Sequence, residues 1–261
     1  MSETKPFFDV PTTTQETSEG PVDLPILYYD TTYAFAFFWV DAEAAAANLP
    51  DAELRTAMNY KGKTLVALAN YQYRNSTVGD YGEVGLAIPA VPVNSKPGER
   101  WLQGLRSVDS TSRDLAFRVL HLPVTTAAAN AAGRDIWGLP KFVTPIKVDL
   151  RGRMIDISVA DPDGGEPIMT LFGRAGLGIP TPQIPVVLYS PHEGQMLRVT
   201  VNGRGPSTTY TGGKVRLRVG NTNHPMAESL RNLGMDGLTP FAIQTTHASQ
   251  SRLNKGVPIG R

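Results

Sequence analysis

One short stretch guides the interpretation of this sequence: Gly133-Arg134-Asp135-Ile136-Trp137-Gly138-Leu139-Pro140-Lys141-Phe142. An alanine-rich segment that predicts a helix over residues 125–134 runs into it, and a strand predicted over residues 142–150 follows it. Pro140 fixes its own φ angle and biases Leu139 toward an extended conformation, so Lys141 is held at the start of that strand. Composition alone favours an ordinary lysine that points into solvent. The apolar neighbours in the sequence indicate the alternative, an amine in an apolar setting.

Strand patterns dominate the rest of the chain. Apolar and polar residues alternate in three segments, which predicts antiparallel strands with one face on a core: 155–159, 197–201 and 215–219. Other strands are predicted over 64–73, 82–93, 114–124 and 241–248, and two more on either side of Asp30-Thr31-Thr32. Short helices are predicted over 42–48 and 225–233, a hairpin loop over 161–165 and a turn over the glycine-rich residues 173–178.

These patterns predict one α+β domain over residues 21–261, with a barrel-like, mostly antiparallel sheet and a few short helices. Residues 1–20 are polar and predict a flexible N-terminal arm. The arm lacks the basic and apolar regions of a secretory peptide, and the longest apolar run in the chain has eight residues, 33–40. We therefore expect a cytoplasmic protein with no membrane segment.

Composition excludes several classes of function. The 261-residue chain has no cysteine, so it has no disulfide scaffold, thiol nucleophile or cysteine-built metal site. With 25 basic and 24 acidic residues its net charge is +1, which argues against a nucleic-acid or anionic-membrane partner. The four histidines are scattered, and the sequence contains no Walker phosphate loop, His-Glu-x-x-His or G-x-S-x-G motif. We predict neither a metal nor a cofactor.

Two segments resemble the acetoacetate decarboxylase family. Gly133-Arg134-Asp135 and Pro140-Lys141 match its G-R-E-x-x-x-x-P-K pattern with Asp in place of Glu, and residues 81–89 match its Y-x-E-x-G-x-A-I-P block. The region around Thr246-His247 is weakly similar to a family strand. On these residues the chain is identified as a divergent member of that family.

The resemblance implies a cone-like closed antiparallel barrel in a homo-oligomer, with Lys141 as an imine-forming lysine in a buried pocket and Glu83 nearby. For Glu83 the hypothesis is that it carries protons to the enamine or holds polar groups of the substrate. Only a neutral amine attacks a carbonyl, and burial favours that form because it penalises the ammonium charge. Arg134 and Trp137 are candidates for substrate binding. For Arg134, the alternative is a cation that stabilises the C-terminal end of a helix.

The sequence departs from the family pattern at three places. Phe142 stands where the family's prototype has a second lysine, although a residue after Lys141 in a strand would point to the opposite face. Counting without gaps places the family's second active-site glutamate at Leu68 and its N-terminal arginine at Thr31. An insertion would allow Asp80 to replace the missing acid.

The leading functional hypothesis is a Schiff-base-forming lyase that decarboxylates a small β-keto acid through Lys141. The first alternative keeps the imine but is an aldolase or dehydratase acting on 2-oxo acids. The second is a catalytically silent relative that binds a carbonyl compound. In each case the expected partner is a small-molecule oxo compound.

Overall fold

The computed structural model of the chain describes residues 6–95 and 114–259. The strands of this part are β1 (Thr13–Gln15), β2 (Val22–Leu24), β3 (Ile26–Asp41), β4 (Leu54–Thr56), β5 (Lys63–Ser76), β6 (Tyr81–Pro92), β7 (Ala116–Val124), β8 (Lys141–Val143), β9 (Ile146–Arg151), β10 (Met154–Val159), β11 (Met169–Pro180), β12 (Val186–His192), β13 (Gln195–Arg204), β14 (Thr208–Gly213), β15 (Arg216–Val219), β16 (Ala242–Leu253) and β17 (Val257–Pro258). Its helices are α1 (Ala42–Ala47), α2 (Ala127–Trp137) and α3 (Pro225–Asn232). None of these helices has the length and apolar content that a membrane span needs.

Seven strands close into a barrel in the order β13, β12, β7, β6, β5, β3 and β16. The barrel closes because β16 pairs with β13, where Leu253 lies opposite Val201. Neighbouring strands run antiparallel except for β12 and β7, which are parallel. The predicted single α+β domain with a closed, mostly antiparallel barrel is therefore confirmed.

The central strands of the barrel bury both of their faces. On the inner face, Phe35 and Ala67 belong to one apolar cluster. On the outer face, Phe38 and Leu68 pack in a second cluster, together with side chains from β10, β11, β15 and α3. A strand buried on both faces reads as a nearly continuous apolar run, which explains why residues 33–40 show no alternation.

Two strand predictions near the ends of the barrel are wrong. Residues 26–41 form one long strand rather than two strands separated at Asp30-Thr31-Thr32. The pairing of β3 with β5 is irregular between Tyr28 and Thr31, and the bulge accommodates the polar residues without ending the strand. The strand predicted over 142–150 is interrupted, since β8 and β9 are separated by Thr144 and a proline, which cannot donate a ladder hydrogen bond.

The glycine-rich residues 173–178 lie within β11 and do not form the predicted turn. A Cβ atom at Gly176 would collide with the carbonyl oxygen of Thr211 on the neighbouring strand β14. At Gly178 it would collide with the Tyr210 ring. Glycine is required here for close approach between strands, a need that local sequence patterns do not distinguish from a turn.

The described part of the predicted N-terminal arm contacts the barrel domain. Strand β1 pairs with β2, and Ser18 donates hydrogen bonds from its backbone N–H and its hydroxyl to the Asp135 carboxylate, both at 2.8 Å. These two bonds hold the pKa of Asp135 below its usual range. The aspartate of the Gly-Arg-Asp motif thus fixes the N-terminal segment against helix α2.

Candidate active site

Lys141 is positioned by the end of helix α2 and by a short parallel strand. The helix begins after Thr126, whose side chain accepts a hydrogen bond from the Ala129 N–H, and it ends at Gly138 in the left-handed conformation with φ 64°. The Pro140 carbonyl then accepts a hydrogen bond from the Leu122 N–H at 3.1 Å. Strand β8 pairs in parallel with β7 and places Lys141 opposite Leu122.

Helix α2 contacts the lysine side chain directly through Gly133. A Cβ atom built at Gly133 would lie 2.4 Å from both Cδ and Cε of Lys141. A side chain at this position would force the lysine stem to move, so the glycine of the Gly-Arg-Asp motif allows the helix backbone to pack against the lysine as it stands. The motif therefore has a steric reason for its spacing of eight residues from glycine to lysine.

Lys141 forms a buried ion pair with Glu83. The distance from Lys141 Nζ to Glu83 Oε2 is 2.7 Å, and the two side chains are 5% and 10% exposed. Glu83 comes from β6 on the opposite side of β7, so the barrel brings together residues separated by 58 positions. Lys141 is thus buried, as the resemblance implies.

A cluster of tyrosines surrounds the ion pair: Tyr28, Tyr71, Tyr73 and Tyr81. The Tyr73 hydroxyl donates to Glu83 Oε1 at 3.3 Å, so both carboxylate oxygens have partners. The hydroxyls of Tyr28 and Tyr81 lie 2.9 Å apart, and Lys141 Nζ lies 5.5 Å from the centre of the Tyr81 ring. The cluster thus places tyrosine hydroxyls beside the ion pair.

The tyrosines stay protonated in this environment. Burial raises the pKa of Tyr28, and the negative charge of Glu83 raises it further. Burial and the same carboxylate raise the pKa values of Tyr71 and Tyr73. The pKa of Tyr81 is raised mainly by burial, then by electrostatic repulsion from Tyr28 and then by repulsion from Glu83. The raised pKa values favour the protonated hydroxyls, which can donate hydrogen bonds.

The ion pair opens into a cavity of about 90 Å³ inside the barrel. Its lining is mostly aromatic, aliphatic and small: Tyr28, Phe35, Phe37, Ala67, Ala69, Tyr71, Tyr73, Glu83, Gly85, Ala87, Phe117, Val119, Leu122, Leu139, Lys141, Ile184, Val186, Leu188, Val201, Ser251 and Leu253. Lys141 is the one cationic side chain among these described lining residues. An amine and a carboxylate thus face an apolar space large enough for a small carbonyl compound.

Arg134 and Trp137 lie outside this cavity lining. Arg134 is exposed in the last turn of α2, and its Nη1 donates to the backbone carbonyl of Lys141 at 3.0 Å. Trp137 is fully buried in the inner cluster, with its Nε1 donating to the Asn254 carbonyl at 3.2 Å. Arg134 is thus tied to the Lys141 backbone and Trp137 to the Asn254 backbone, and a substrate-binding role for either residue stays a prediction.

The residues at which this chain departs from the family pattern do not all lie on the same face of the barrel. Phe142 points away from the cavity and lies 4.7 Å from the His224 ring, as expected for a strand residue after Lys141. Leu68 belongs to the outer cluster and Asp80 is exposed, so neither faces Lys141. Thr31 lies opposite Tyr73 on the inner face and is buried. A hydroxyl thus lies where the resemblance implies an arginine.

Sequence reasoning missed the tyrosine cluster. The tyrosines come from three strands, and each one reads locally as an aromatic core residue. A register argument could have found two of them, because Tyr71 and Tyr73 share the face of β5 that pairs with Glu83 and Tyr81. Among residues 6–95 and 114–259, no three His, Asp or Glu side chains are grouped closely enough to hold a metal ion.

Comparisons with solved structures agree with this architecture. An acetoacetate decarboxylase structure has a TM-score of 0.63 and 16% identity, covering 90% of this chain and 89% of that chain. The acetoacetate decarboxylase of Legionella pneumophila subsp. pneumophila str. Philadelphia 1 has a TM-score of 0.63 and 15% identity, covering 97% and 93%. The enduracididine biosynthesis enzyme MppR, complexed with the condensation product of pyruvate and imidazole 4-carboxaldehyde, has a TM-score of 0.59 and 13% identity, covering 90% and 88%. At these identities the likeness establishes the fold.

A comparison with curated protein sequences finds no match. The family model for acetoacetate decarboxylase matches residues 7–211, which include the whole span from β1 to Thr211 in β14. Both Glu83 and Lys141 lie within the matched segment. The chain belongs to the acetoacetate decarboxylase family.

Proposed function

We propose that this protein is a Schiff-base-forming carbon–carbon lyase that decarboxylates a β-keto acid through Lys141. The observation that carries the proposal is the Lys141–Glu83 pair, with 2.7 Å between Nζ and Oε2, facing an apolar cavity inside the barrel. A nucleophilic amine and a proton acceptor within hydrogen-bond distance are the two groups that imine formation requires.

Glu83 serves the first half of the reaction as a base and then as an acid. It takes a proton from the Lys141 ammonium, and the neutral amine attacks the ketone carbon to form a C–N bond. Glu83 returns that proton to the carbinolamine hydroxyl, which leaves as water and produces the protonated imine. The Tyr73 hydroxyl, which donates to Glu83 Oε1, stabilises the carboxylate form of this proton carrier.

The protonated imine then accepts the electron pair of the breaking carbon–carbon bond. The bond between the α carbon and the carboxylate breaks, and carbon dioxide leaves. The electron pair of that bond forms the carbon–carbon double bond of an enamine. Protonation of the enamine carbon and addition of water release the ketone and free Lys141. An apolar lining favours this step, because the negative charge of the carboxylate disappears as it leaves.

A second candidate is an aldolase or dehydratase that acts on a 2-oxo acid through the same imine. In that case the enamine of the oxo acid attacks an aldehyde carbon, or loses a hydroxyl group from the neighbouring carbon. Two observations favour it: the fold is shared with MppR, which was solved with a condensation product of pyruvate and an aldehyde, and Thr31 stands where the resemblance implies an arginine.

Trapping the imine tests both candidates. We expect borohydride reduction in the presence of acetoacetate or pyruvate to add to the peptide that contains Lys141 the mass of the oxo acid less one oxygen atom, or that of the ketone product less one oxygen atom where carbon dioxide has already left. Lys141→Met and Lys141→Ala should abolish the adduct and the turnover, and the exposed Lys147→Met is the matched control that retains both. Circular dichroism checks the fold, and the double variant Lys141→Met/Glu83→Gln removes the unpaired carboxylate if the single variants unfold.

The products separate the remaining alternatives. Carbon dioxide release from acetoacetate supports the decarboxylase, and a condensation product from pyruvate and an aldehyde supports the aldolase. A folded protein that forms no adduct with a panel of oxo acids contradicts both and favours the silent carbonyl-binding relative. An adduct that persists in Lys141→Met contradicts the assignment of the lysine.

Homo-oligomerisation and a cytoplasmic location stay predictions. Three large apolar side chains on β11 are exposed in the isolated chain, Phe172, Leu177 and Ile179, and they would suit a subunit contact. Light scattering during size-exclusion chromatography measures the subunit number.

A further inference from the structure

A second, larger cavity of about 330 Å³ lies inside the barrel beyond the first. Its lining is mostly apolar: Phe37, Trp39, Ala57, Met58, Thr64, Leu65, Pro89, Leu115, Phe117, Ile184, Thr209, Phe241, Ala242 and Gln244. Its mouth is aromatic, with the Trp39 and Phe241 rings 5.6 Å apart and Phe241 44% exposed. This cavity therefore meets solvent at the end of the barrel away from the tyrosine cluster.

The two cavities are neighbours along the inner face of the barrel. Phe37, Phe117 and Ile184 line both of them. Along β6, Glu83 lies beside Lys141 and Pro89 lines the second cavity, a separation of six residues or about 20 Å of strand. A ligand attached to Lys141 would have to pass Phe37, Phe117 and Ile184 to reach the aromatic mouth.

Small residues line the wall between the reactive amine and the second cavity. The inner-face positions of β5 and β6 in this stretch are Ala67, Ala69, Gly85 and Ala87, all of which line the first cavity. The residues at the ends of the stretch are larger, with Tyr71 on one side and Leu65 on the other. A barrel of this size fills its interior with large side chains unless space is kept for a ligand.

The polar groups of the second cavity are already satisfied. Gln244 Oε1 accepts hydrogen bonds from the Tyr33 hydroxyl and the Ile184 N–H, both at 3.0 Å. Gln244 Nε2 donates to the Pro182 carbonyl at 2.9 Å, and the hydroxyls of Thr181 and Thr209 lie 2.7 Å apart. A ligand here gains by burying apolar surface, and a polar one would lose hydrogen bonds to water.

We propose that the substrate is an oxo acid with an unbranched apolar chain longer than that of acetoacetate. Its carbonyl meets Lys141, and its chain runs past the small residues of β5 and β6 into the second cavity. This inference rests on the proposed imine chemistry of Lys141 and replaces the expectation of a small substrate. Each methylene group that enters the channel should improve binding about threefold to fourfold, the equivalent of the transfer free energy of one buried CH₂.

A homologous series tests the proposal: acetoacetate, 3-oxohexanoate, 3-oxooctanoate and 3-oxodecanoate. For the unaltered protein we expect kcat/KM, and the yield of borohydride adduct at limiting substrate, to rise with chain length. Ala242→Phe places a ring in the second cavity and should lower the ratio of decanoate to acetoacetate kcat/KM at least tenfold. Ala57→Phe, on a less buried segment of the same cavity, is the second variant if Ala242→Phe unfolds.

Ala46→Phe on the exposed face of α1 is the matched control and should leave the ratio unchanged. The proposal is overturned if kcat/KM of the unaltered protein stays flat or falls as the chain lengthens. It is also overturned if both cavity variants keep the decanoate-to-acetoacetate ratio of the unaltered protein. If no oxo acid forms an adduct, the proposed imine function fails. Calorimetry then measures whether the protein binds 2-undecanone, a long-chain ketone, and this tests the channel independently of the chemistry. Binding that is lost in Ala242→Phe then supports the channel, and absent or unaffected binding overturns it.

Discussion

Gly133→Ala provides a sharp test of how Lys141 is positioned. The new methyl carbon would lie 2.4 Å from Cδ and Cε of the lysine, and carbon atoms in contact need about 3.5 Å. The lysine stem must therefore move by about 1 Å, which shifts Nζ away from Glu83. A misplacement of about 1 Å costs on the order of 10²-fold in rate, so we expect kcat and the rate of imine trapping to fall about 100-fold.

The same substitution should not harm the fold. Alanine is favoured over glycine in a helix interior by about 1 kcal/mol, and the displaced atoms belong to a side chain rather than to the backbone. Displacing the amine from its buried pair with Glu83 acts in the opposite direction, so urea unfolding should give a free energy of unfolding within about 2 kcal/mol of that of the unaltered protein. Loss of activity with retained stability is the signature of a displaced lysine.

Ala128→Gly supplies the matched control, because this residue of α2 is exposed whereas Lys141 is buried. It should lower the free energy of unfolding by up to about 1 kcal/mol and leave imine trapping unchanged. Borohydride trapping with acetoacetate and urea unfolding are measured on all three proteins. An undiminished trapping rate in Gly133→Ala would refute the steric argument.

Two further substitutions test the chemistry and the electrostatics of the fold. Glu83→Gln keeps the shape of the side chain but cannot carry a proton, so we expect imine formation to slow about 10²–10⁴-fold. Imine trapping at the rate of the unaltered protein would contradict a role of Glu83 in proton transfer. Burial, reinforced by the neighbouring His224, lowers the pKa of His121 from 6.5 to about 4. Between pH 4 and pH 6.5 the unfolded chain therefore binds a proton at His121 that the folded chain does not bind. The free energy of unfolding should therefore fall by up to about 3 kcal/mol as pH decreases from 6.5 to 4. In urea titrations, His121→Gln should lack this part of the pH dependence. Identical pH profiles for the two proteins would contradict the lowered pKa of His121.

Local sequence signals predicted the elements that local physics controls. Asp41 caps α1 through hydrogen bonds from the Glu43 and Ala44 N–H groups, and the proline corner places Lys141 at a strand start. Clear alternation over 155–159 predicted β10 because that strand is buried on one face only. The family motifs then indicated Glu83 and Lys141 as partners, and the structure places them in one buried ion pair.

Local signals failed where both faces of a strand are buried or where strands approach closely. Residues 26–41 look like two strands because the polar residues of the bulge resemble a turn, although pairing on both edges keeps the strand continuous. The glycines of β11 look like a turn because sequence does not reveal the neighbouring strand that excludes a side chain. Gapless counting assigned an active-site position to Leu68, which faces the outer cluster.

By itself, the sequence determined which chemical groups are available and where the chain turns, because amine, carboxylate, caps and proline corners act over a few residues. Tertiary structure alone decided that Gly133 leaves room for the lysine stem, that tyrosines from three strands surround Glu83, and that small residues line the cavity beside Lys141. Burial and alignment depend on strand register and barrel closure, which join residues far apart in the chain.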